Sequence, residues 1–178
     1  MLGEEQQERI ITHVAPRLDN ALDLGCGDGR FAKRLAWTGV DVHAVDKEQK
    51  SFDHPNISFT QADLTEITLD DSYDLVLAAF VLHFLTTSQA NQVIRLMKQH
   101  TRPQGYNALL CMNEGERQSP VNNDESAEPY FYPSMEDLNE IYDDWQVIEQ
   151  RATQTPLKAH DGLPPHRHDI TLFITQNA

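Results

Sequence analysis

The chain has few of the residues that several protein classes require. Of its 178 residues only two are cysteines, Cys26 and Cys111, and neither lies in a spacing typical of a metal site. Two cysteines also exclude a disulfide framework, so both thiols are expected to be small apolar side chains in a reducing compartment. No apolar run approaches the roughly 20 residues of a membrane span, and the polar N-terminus does not resemble a secretory signal.

Positive charge is also scarce. The chain has 14 Lys and Arg residues against 28 Asp and Glu residues, which gives a formal net charge of −14. Affinity for nucleic acid depends on cationic contacts to phosphate, and anionic membrane surfaces attract cations in the same way. We therefore expect no nucleic-acid or membrane partner. With no signal or membrane span in the sequence, we expect a soluble, cytoplasmic protein, monomeric or homodimeric, that acts on a small molecule.

Strand and helix patterns alternate along a chain whose length suits a single domain over residues 1–178. Such alternation predicts an α/β fold, a Rossmann-like and mostly parallel sheet with helices on both faces. Strands are expected at Asn20–Leu24, Asp41–Val45, Ile57–Thr60, Tyr73–Ala79, Tyr106–Met112, Trp145–Glu149 and His168–Thr175. Helices are expected at Glu4–Val14, Phe31–Thr38, Ser88–Gln99 and Ser134–Tyr142, the last opened by a capping box.

Three connecting stretches have unusual lengths or compositions. Asn113–Pro133 is polar and too long for a simple connection, so a lid is expected there. Ala152–Arg167 contains three prolines and is expected to be a loop. Lys47–Asn56 is at the lower limit for a helical crossover, and a degenerate turn of helix is expected there.

The segment Ala21–Arg30, reading ALDLGCGDGR, is the most informative part of the chain. It predicts a strand, a glycine turn and a helix N-terminus, where glycines let a ligand lie against bare backbone. A dinucleotide site requires G-x-G-x-x-G, but Arg30 stands where the third glycine would be. Asp23 would repel a pyrophosphate and suits the ammonium and sulfonium of S-adenosylmethionine. The alternatives are a nucleotide site of another kind and a tight turn that binds nothing.

Two further acidic residues lie at the expected ends of the next strands. Asp46 follows Gly25 by about 20 residues, the spacing at which an acid binds ribose hydroxyls. Asp63 could accept a hydrogen bond from an adenine amino group, while Leu64 packs on the ring. Three successive strand ends with suitable chemistry favour an S-adenosylmethionine site.

These residues carry a family resemblance that extends from about Leu22 to Ile148. The chain resembles the class I S-adenosylmethionine-dependent methyltransferases, and within them the tellurite-resistance (TehB-like) methyltransferases. The broader resemblance rests on DLGCGDG at 23–29, Asp46 and Asp63-Leu64. The narrower one rests on DVHAVDK at 41–47, VLHFL at 81–85, RPQGYN at 102–107, Tyr142 and Trp145.

The resemblance implies seven strands, with the last inserted antiparallel, and a set of binding residues. It implies that Asp23, Gly25, Cys26 and Gly27 line the methionine end of S-adenosylmethionine, and that Asp46, with Lys47 beside it, holds the ribose. It implies that Asp63 and Leu64 bind the adenine, and that Ala78 and Phe80 lie beside the methyl group.

Candidate catalytic residues lie in two places. His83 follows the fourth strand, where it could act as a base or contact the acceptor, although a capping or loop histidine is the alternative. The family has a candidate catalytic His and Arg between its last two strands, and His166-Arg167-His168 match them by type. For this cluster the alternative is a solvated entry to the last strand.

The sequence therefore predicts an S-adenosylmethionine-dependent methyltransferase that acts on a small molecule by in-line methyl transfer. The acceptor would be a chalcogen oxyanion such as tellurite or selenite, or a small thiol or other metabolite. The alternative is a non-catalytic S-adenosylmethionine-binding module with a regulatory or scaffold role.

Overall fold

The computed structural model describes residues 4–14, 18–115, 129–155, 158–160 and 163–178. The strands are β1 (Asn20–Leu24), β2 (Asp41–Asp46), β3 (Ile57–Gln61), β4 (Tyr73–Ala79), β5 (Thr101–Met112), β6 (Gln146–Gln154), β7 (Lys158–His160), β8 (Leu163–His166) and β9 (Asp169–Gln176). The helices are α1 (Glu4–Val14), α2 (Arg30–Trp37), α3 (Thr87–Gln99) and α4 (Met135–Ile141), with a short 3₁₀ helix at Leu82–Phe84.

Seven strands form one sheet in the order β3-β2-β1-β4-β5-β9-β6. Strands β1 to β5 are parallel to one another, and β9 lies antiparallel between β5 and β6. The sequence-based prediction of the fold is therefore confirmed. Strand β4 lies in the middle of the sheet, and its nearly continuous apolar run is buried as a central parallel strand requires.

The sheet separates two apolar clusters. On one side Ile10 of α1 and Leu35 of α2 pack in a cluster with Leu77 of β4. On the other side Ile94 of α3 and Leu138 of α4 pack in a cluster with Val76 of β4, whose side chain points to the opposite face of the sheet from that of Leu77. Among the described helices, none has both the length and the apolar character that a membrane span requires.

The prediction of a loop over Ala152–Arg167 was wrong in part. Strand β6 continues to Gln154 because it pairs with β9 as far as Asp169, and β7 and β8 pair as a separate two-stranded sheet. Prolines 164 and 165 lie in that small sheet, where an edge position tolerates a missing N–H group.

The prediction of a degenerate helical turn within Lys47–Asn56 was wrong: that segment contains no helix. The Phe52 side chain lies there in contact with the Phe59 ring, at 5.9 Å between centroids, and covers the sheet in place of a helix. The expected lid falls largely on residues 116–128, outside the described residues.

Capping boxes open two helices. Ser134 and Asp137 exchange the predicted pair of bonds at the start of α4, which confirms that prediction. Thr86 and Gln89 form the same motif at the start of α3. These caps satisfy amide groups that would otherwise have no partner in the first turn.

A buried polar chain connects the end of α4 to β5 and, through the bond of 2.7 Å that the Thr101 hydroxyl donates to the Met97 carbonyl, to α3. It provides a test of the fold. The Tyr142 hydroxyl donates to Asn107 Oδ1 at 2.9 Å, and Asn107 Nδ2 donates to Thr101 Oγ1 at 2.6 Å. Tyr142→Phe removes the hydroxyl and leaves the buried Asn107 Oδ1 without its hydrogen-bond donor. The free energy of unfolding should therefore fall by about 1–3 kcal/mol. Urea denaturation measures this, with Tyr130→Phe as the exposed control; equal effects of the two changes would contradict it.

Candidate functional site

A cavity of about 580 Å³ opens at the carboxyl ends of the parallel strands. Ligands of open α/β sheets bind at this edge. The walls come from the β1–α2 turn, the ends of β2 and β3, and the connection between β4 and α3. The cavity brings together Gly25, Gly27, Asp46, Lys47, Asp63, Leu64 and Phe80, all of which were predicted from the sequence.

The glycine turn has backbone torsions that side chains rarely adopt. Gly25 has φ of 69° and Gly27 has φ of 55°. A Cβ atom on Gly25 would lie 2.4 Å from Val81 Cγ2, whereas one on Gly27 would meet nothing within 4 Å. Gly25 is therefore required by close packing, and Gly27 leaves bare backbone facing the cavity.

The Asp46 carboxylate is held at the end of β2 by two backbone amides. Its Oδ2 accepts from Gly27 N at 2.8 Å, and its Oδ1 accepts from Glu48 N at 2.9 Å. An ionised carboxylate offers about four acceptor positions, so each oxygen retains one for a ligand. The group is thereby oriented to receive a pair of hydroxyls, which suits a ribose.

Asp63 and Leu64 form the next part of the wall. Asp63 Oδ1 accepts from the Thr65 backbone N–H at 2.9 Å and from its hydroxyl at 2.7 Å, and these bonds lower the pKa of Asp63. The carboxyl therefore remains an ionised acceptor beside the mostly buried Leu64 side chain. An acceptor next to an apolar surface suits a heteroaromatic amine such as adenine.

Three predicted cofactor residues are absent from the lining of this cavity. Asp23 is only 2% exposed, and its Oδ2 accepts from Ala32 N at 3.1 Å in the first turn of α2. Cys26 is buried, and burial raises the pKa of its thiol to about 12, so it is not a nucleophile. Ala78 is fully buried within β4.

Of the candidate catalytic residues, the three whose side chains the structure describes, His83, Arg167 and His168, do not line this cavity. His83 is 6% exposed in the 3₁₀ helix and packs between the rings of Phe84 and Tyr132. Arg167 donates to the Thr155 carbonyl at 3.1 Å, and the His168 backbone N–H donates to the Thr155 hydroxyl at 2.9 Å. His166 ends β8, and its side chain lies outside the described part of the structure.

Several lining residues were not predicted from the sequence. They are Glu48, Lys50, Thr65, Val81, Phe84, Leu85 and Gln89. Val81, Phe84 and Leu85 belong to the VLHFL segment, which served only to indicate the family. The signal that could have found them is their position between the central strand and the capped start of α3.

The burial of Asp23 predicts a pH dependence of stability. Burial raises the pKa of this carboxyl from 3.8 to about 7, despite the opposing bond from Ala32 N. Because the folded pKa is the higher one, the stabilising contribution of the protonated form is complete below pH 4 and is lost as the pH rises through 7. Relative to Asp23→Asn, the wild type should lose stability on the order of 4 kcal/mol across that range.

Urea denaturation of both proteins at several pH values measures this difference. Asp28→Asn serves as the control, because Asp28 is an exposed acid in the same turn. A difference between wild type and Asp23→Asn that is constant between pH 4 and 8 would contradict a raised pKa.

The sheet order, the antiparallel β9 and the cavity at the glycine turn define a class I S-adenosylmethionine-dependent methyltransferase domain, a class whose cofactor is S-adenosylmethionine. Residues 8–162 match the family described as tellurite resistance protein TehB. The chain belongs to that family, and the family predicted from the sequence is confirmed.

Relatives with assigned names agree with this placement. The chain is 29% identical over 151 residues to a probable S-adenosyl-L-methionine-dependent methyltransferase TehB of Haemophilus influenzae, covering 79% of this chain and 50% of that protein. It is 27% identical over 172 residues to a phosphoethanolamine N-methyltransferase of Triticum aestivum, covering 88% and 33%. The chain thus spans half or less of the length of these relatives.

Solved structures show the same fold. TehB from Haemophilus influenzae superposes with a TM-score of 0.80 at 22% identity, covering 98% of this chain and 62% of that one. The N-methyltransferase NodS from Bradyrhizobium japonicum, in complex with S-adenosylhomocysteine, superposes with a TM-score of 0.72 at 16% identity, covering 97% and 86%.

Proposed function

We propose that the protein transfers the methyl group of S-adenosylmethionine to a small-molecule acceptor. The observation that carries the proposal is the Asp46 carboxylate, which two backbone amides orient toward the cavity beside Asp63 and Leu64. Membership of the TehB family supports the same reaction.

In this proposal the chain holds the cofactor at three points. Asp46 accepts hydrogen bonds from the ribose, Asp63 accepts one from the adenine amino group, and Leu64 packs on the ring. The bare backbone of Gly25 and Gly27 receives the methionine end, with Lys47 at the rim and Phe80 beside the methyl group.

The bound cofactor supplies an already activated methyl group, so the protein mainly has to position the acceptor. Holding two reactants in the correct geometry can contribute roughly 7–11 kcal/mol to the rate. A lone pair on a chalcogen oxyanion needs no base, whereas a thiol or amine must lose a proton. His166 and His168 are the proposed sources of a base, and Arg167 is the proposed anion contact.

The class of acceptor is proposed more broadly than the family name suggests. Relatives that match this chain include phosphoethanolamine N-methyltransferases and ubiquinone biosynthesis O-methyltransferases, whose names give different acceptor atoms. The net charge of −14 also repels an anionic acceptor except near a local cation such as Arg167. A small thiol or other metabolite is therefore proposed beside tellurite and selenite.

The test is transfer of label from methyl-tritiated S-adenosylmethionine to a panel of selenite, tellurite and small thiols. Labelled product should form with at least one acceptor, and Asp46→Asn should lower its formation about a hundredfold at cofactor concentrations below saturation. Label that stays with the cofactor for every acceptor, in a protein that binds S-adenosylhomocysteine, would contradict catalysis on these classes.

That contradictory result would favour a second candidate, a non-catalytic S-adenosylmethionine-binding module. One observation favours it: within the described residues, none of His83, Arg167 and His168 lines the cavity. We also propose, from the excess of acidic residues, that the protein has no nucleic-acid or membrane partner. A cytoplasmic monomer or homodimer is proposed with it.

A further inference from the structure

Phe84 combines high exposure with a place in the cavity wall. Its side chain is 69% exposed, although it lines the same cavity as Asp63 and Leu64. Among the residues that the structure describes, Trp37 is the other aromatic side chain of such high exposure, at 79%, and it does not line this cavity. A large aromatic side chain left open to water at the mouth of a cavity is an available surface for a planar ligand.

The position of Phe84 within the cavity indicates which part of a ligand it would meet. Gln92 Nε2 donates to the Thr65 carbonyl at 3.1 Å and thereby ties α3 to the segment that follows β3. Gln89 lies one turn earlier on α3 and lines the cavity with Thr65, Leu85 and Phe84. Since Phe84 lies just before α3, this tie favours a position of Phe84 near Thr65 and Asp63, the proposed adenine end.

The His83 ring packs against the Phe84 ring. The two ring centroids lie 4.1 Å apart with the planes tilted by 40°, and His83 also faces Tyr132 at 6.4 Å. The Phe84 backbone N–H donates to the Val81 carbonyl at 3.1 Å, which fixes the 3₁₀ turn that carries both residues. Because His83 is buried in this stack, its ring supports Phe84 from the protein side.

We propose that Phe84 packs on the adenine of the bound cofactor and that His83 is a positioning residue that supports the Phe84 ring. This proposal rests on the proposed function, because it takes the cavity to be the S-adenosylmethionine site. Aromatic side chains bind nucleobases by stacking because every base has a π face, and no hydrogen bond is needed. Asp63 would then read the edge of the adenine while Phe84 and Leu64 contact its faces.

The first experiment compares Phe84→Ala with wild type in calorimetric titrations with S-adenosylhomocysteine and, by displacement, with adenosine. Both affinities should fall by the same factor, about tenfold to about a hundredfold, as expected for removal of a stacking aromatic. Trp37→Ala is the matched control, since it removes an exposed aromatic away from the cavity and should change neither affinity.

Two results of this experiment would overturn the role of Phe84. One is an unchanged affinity of Phe84→Ala for both ligands in a setting where wild type binds them. The other is a loss for S-adenosylhomocysteine with none for adenosine, which would place Phe84 at the methionine end. Wild type that binds neither ligand would instead refute the proposed function itself, and the role of Phe84 with it.

The second experiment separates support from base catalysis at His83, after thermal unfolding has shown that each variant is folded. His83→Ala should weaken S-adenosylhomocysteine binding as Phe84→Ala does, and His83→Phe should restore it to within about threefold of wild type, because an aromatic ring still backs Phe84. In turnover, His83→Ala should raise the KM for the cofactor. A fall in kcat alone, with the affinity of His83→Ala unchanged, would show a base and overturn the supporting role.

Discussion

Asp46→Asn is expected to weaken binding of S-adenosylmethionine by about a hundredfold, on the order of 3 kcal/mol. The wild-type carboxylate accepts from Gly27 N and Glu48 N with separate oxygens, and it is proposed to accept from the ribose as well. An amide side chain has only one oxygen. In Asp46→Asn an NH₂ group therefore replaces one of the two accepting oxygens and faces a backbone N–H group or a ribose hydroxyl. The turn and the ligand contact are therefore both affected.

Equilibrium dialysis with radiolabelled S-adenosylmethionine measures this loss directly. Asp28→Asn is the matched control, because it removes one negative charge from an exposed acid of the glycine turn that does not line the cavity. A loss of equal size in both variants would attribute the effect to charge in general, and not to the Asp46 hydrogen bonds.

Gly25→Ala is expected to lower the free energy of unfolding by about 3 kcal/mol. A side chain at φ of 69° costs roughly 1–2 kcal/mol, and overpacking of a filled site adds about 1–3 kcal/mol. The overpacking arises because the new Cβ would lie 2.4 Å from Val81 Cγ2. The displaced Val81 also lines the cavity, so cofactor affinity should fall with stability.

Urea denaturation of two variants separates the two contributions. Gly27→Ala carries a similar torsional cost at φ of 55° but meets nothing within 4 Å, so it should cost only about 1 kcal/mol in stability. The double variant Gly25→Ala/Val81→Gly removes the Val81 side-chain atoms that the new Cβ would meet, and it should be less destabilised than the sum of its single changes. Equal costs at the two glycines, with additive behaviour in the double variant, would refute close packing at Gly25.

The part of the site around the glycine turn was predictable because its signals are local. Gly25, Gly27 and Asp46 lie at strand ends that the apolar periodicity locates, and parallel strands bring those ends to one edge. The family resemblance then supplied roles for the individual positions. The structure brings these residues together as expected, with backbone amides rather than side chains orienting Asp46.

Strand lengths were less predictable, since pairing between distant segments sets them. Strand β5 begins at Thr101, before the predicted Tyr106, because Thr101 pairs with Tyr73 across an irregularity in the register. Strand β6 extends to Gln154 because Asp169 pairs with it from the far end of β9. No local pattern in these polar residues indicates such partners.

Which side chains of the site are buried and which are exposed could not be predicted from the sequence either. The motif placed Asp23 in contact with the ligand, but its carboxylate is buried and accepts from the first turn of α2. Phenylalanine is a residue type that is usually buried, yet the 3₁₀ turn leaves Phe84 exposed at the mouth of the cavity. In this turn His83 is the buried side chain, and it packs against Tyr132 and Phe84. Such contacts between distant segments decide which side chain of a short turn faces inward.

The most direct test of the central claim is calorimetric titration of the wild-type protein with S-adenosylhomocysteine, with NAD titrated under the same conditions. If this cavity is the S-adenosylmethionine site, S-adenosylhomocysteine should bind one-to-one with a dissociation constant on the order of micromolar, and NAD should give no heat. Absence of binding by S-adenosylhomocysteine, or binding of NAD with equal affinity, would contradict the assignment of the glycine-turn cavity as an S-adenosylmethionine site.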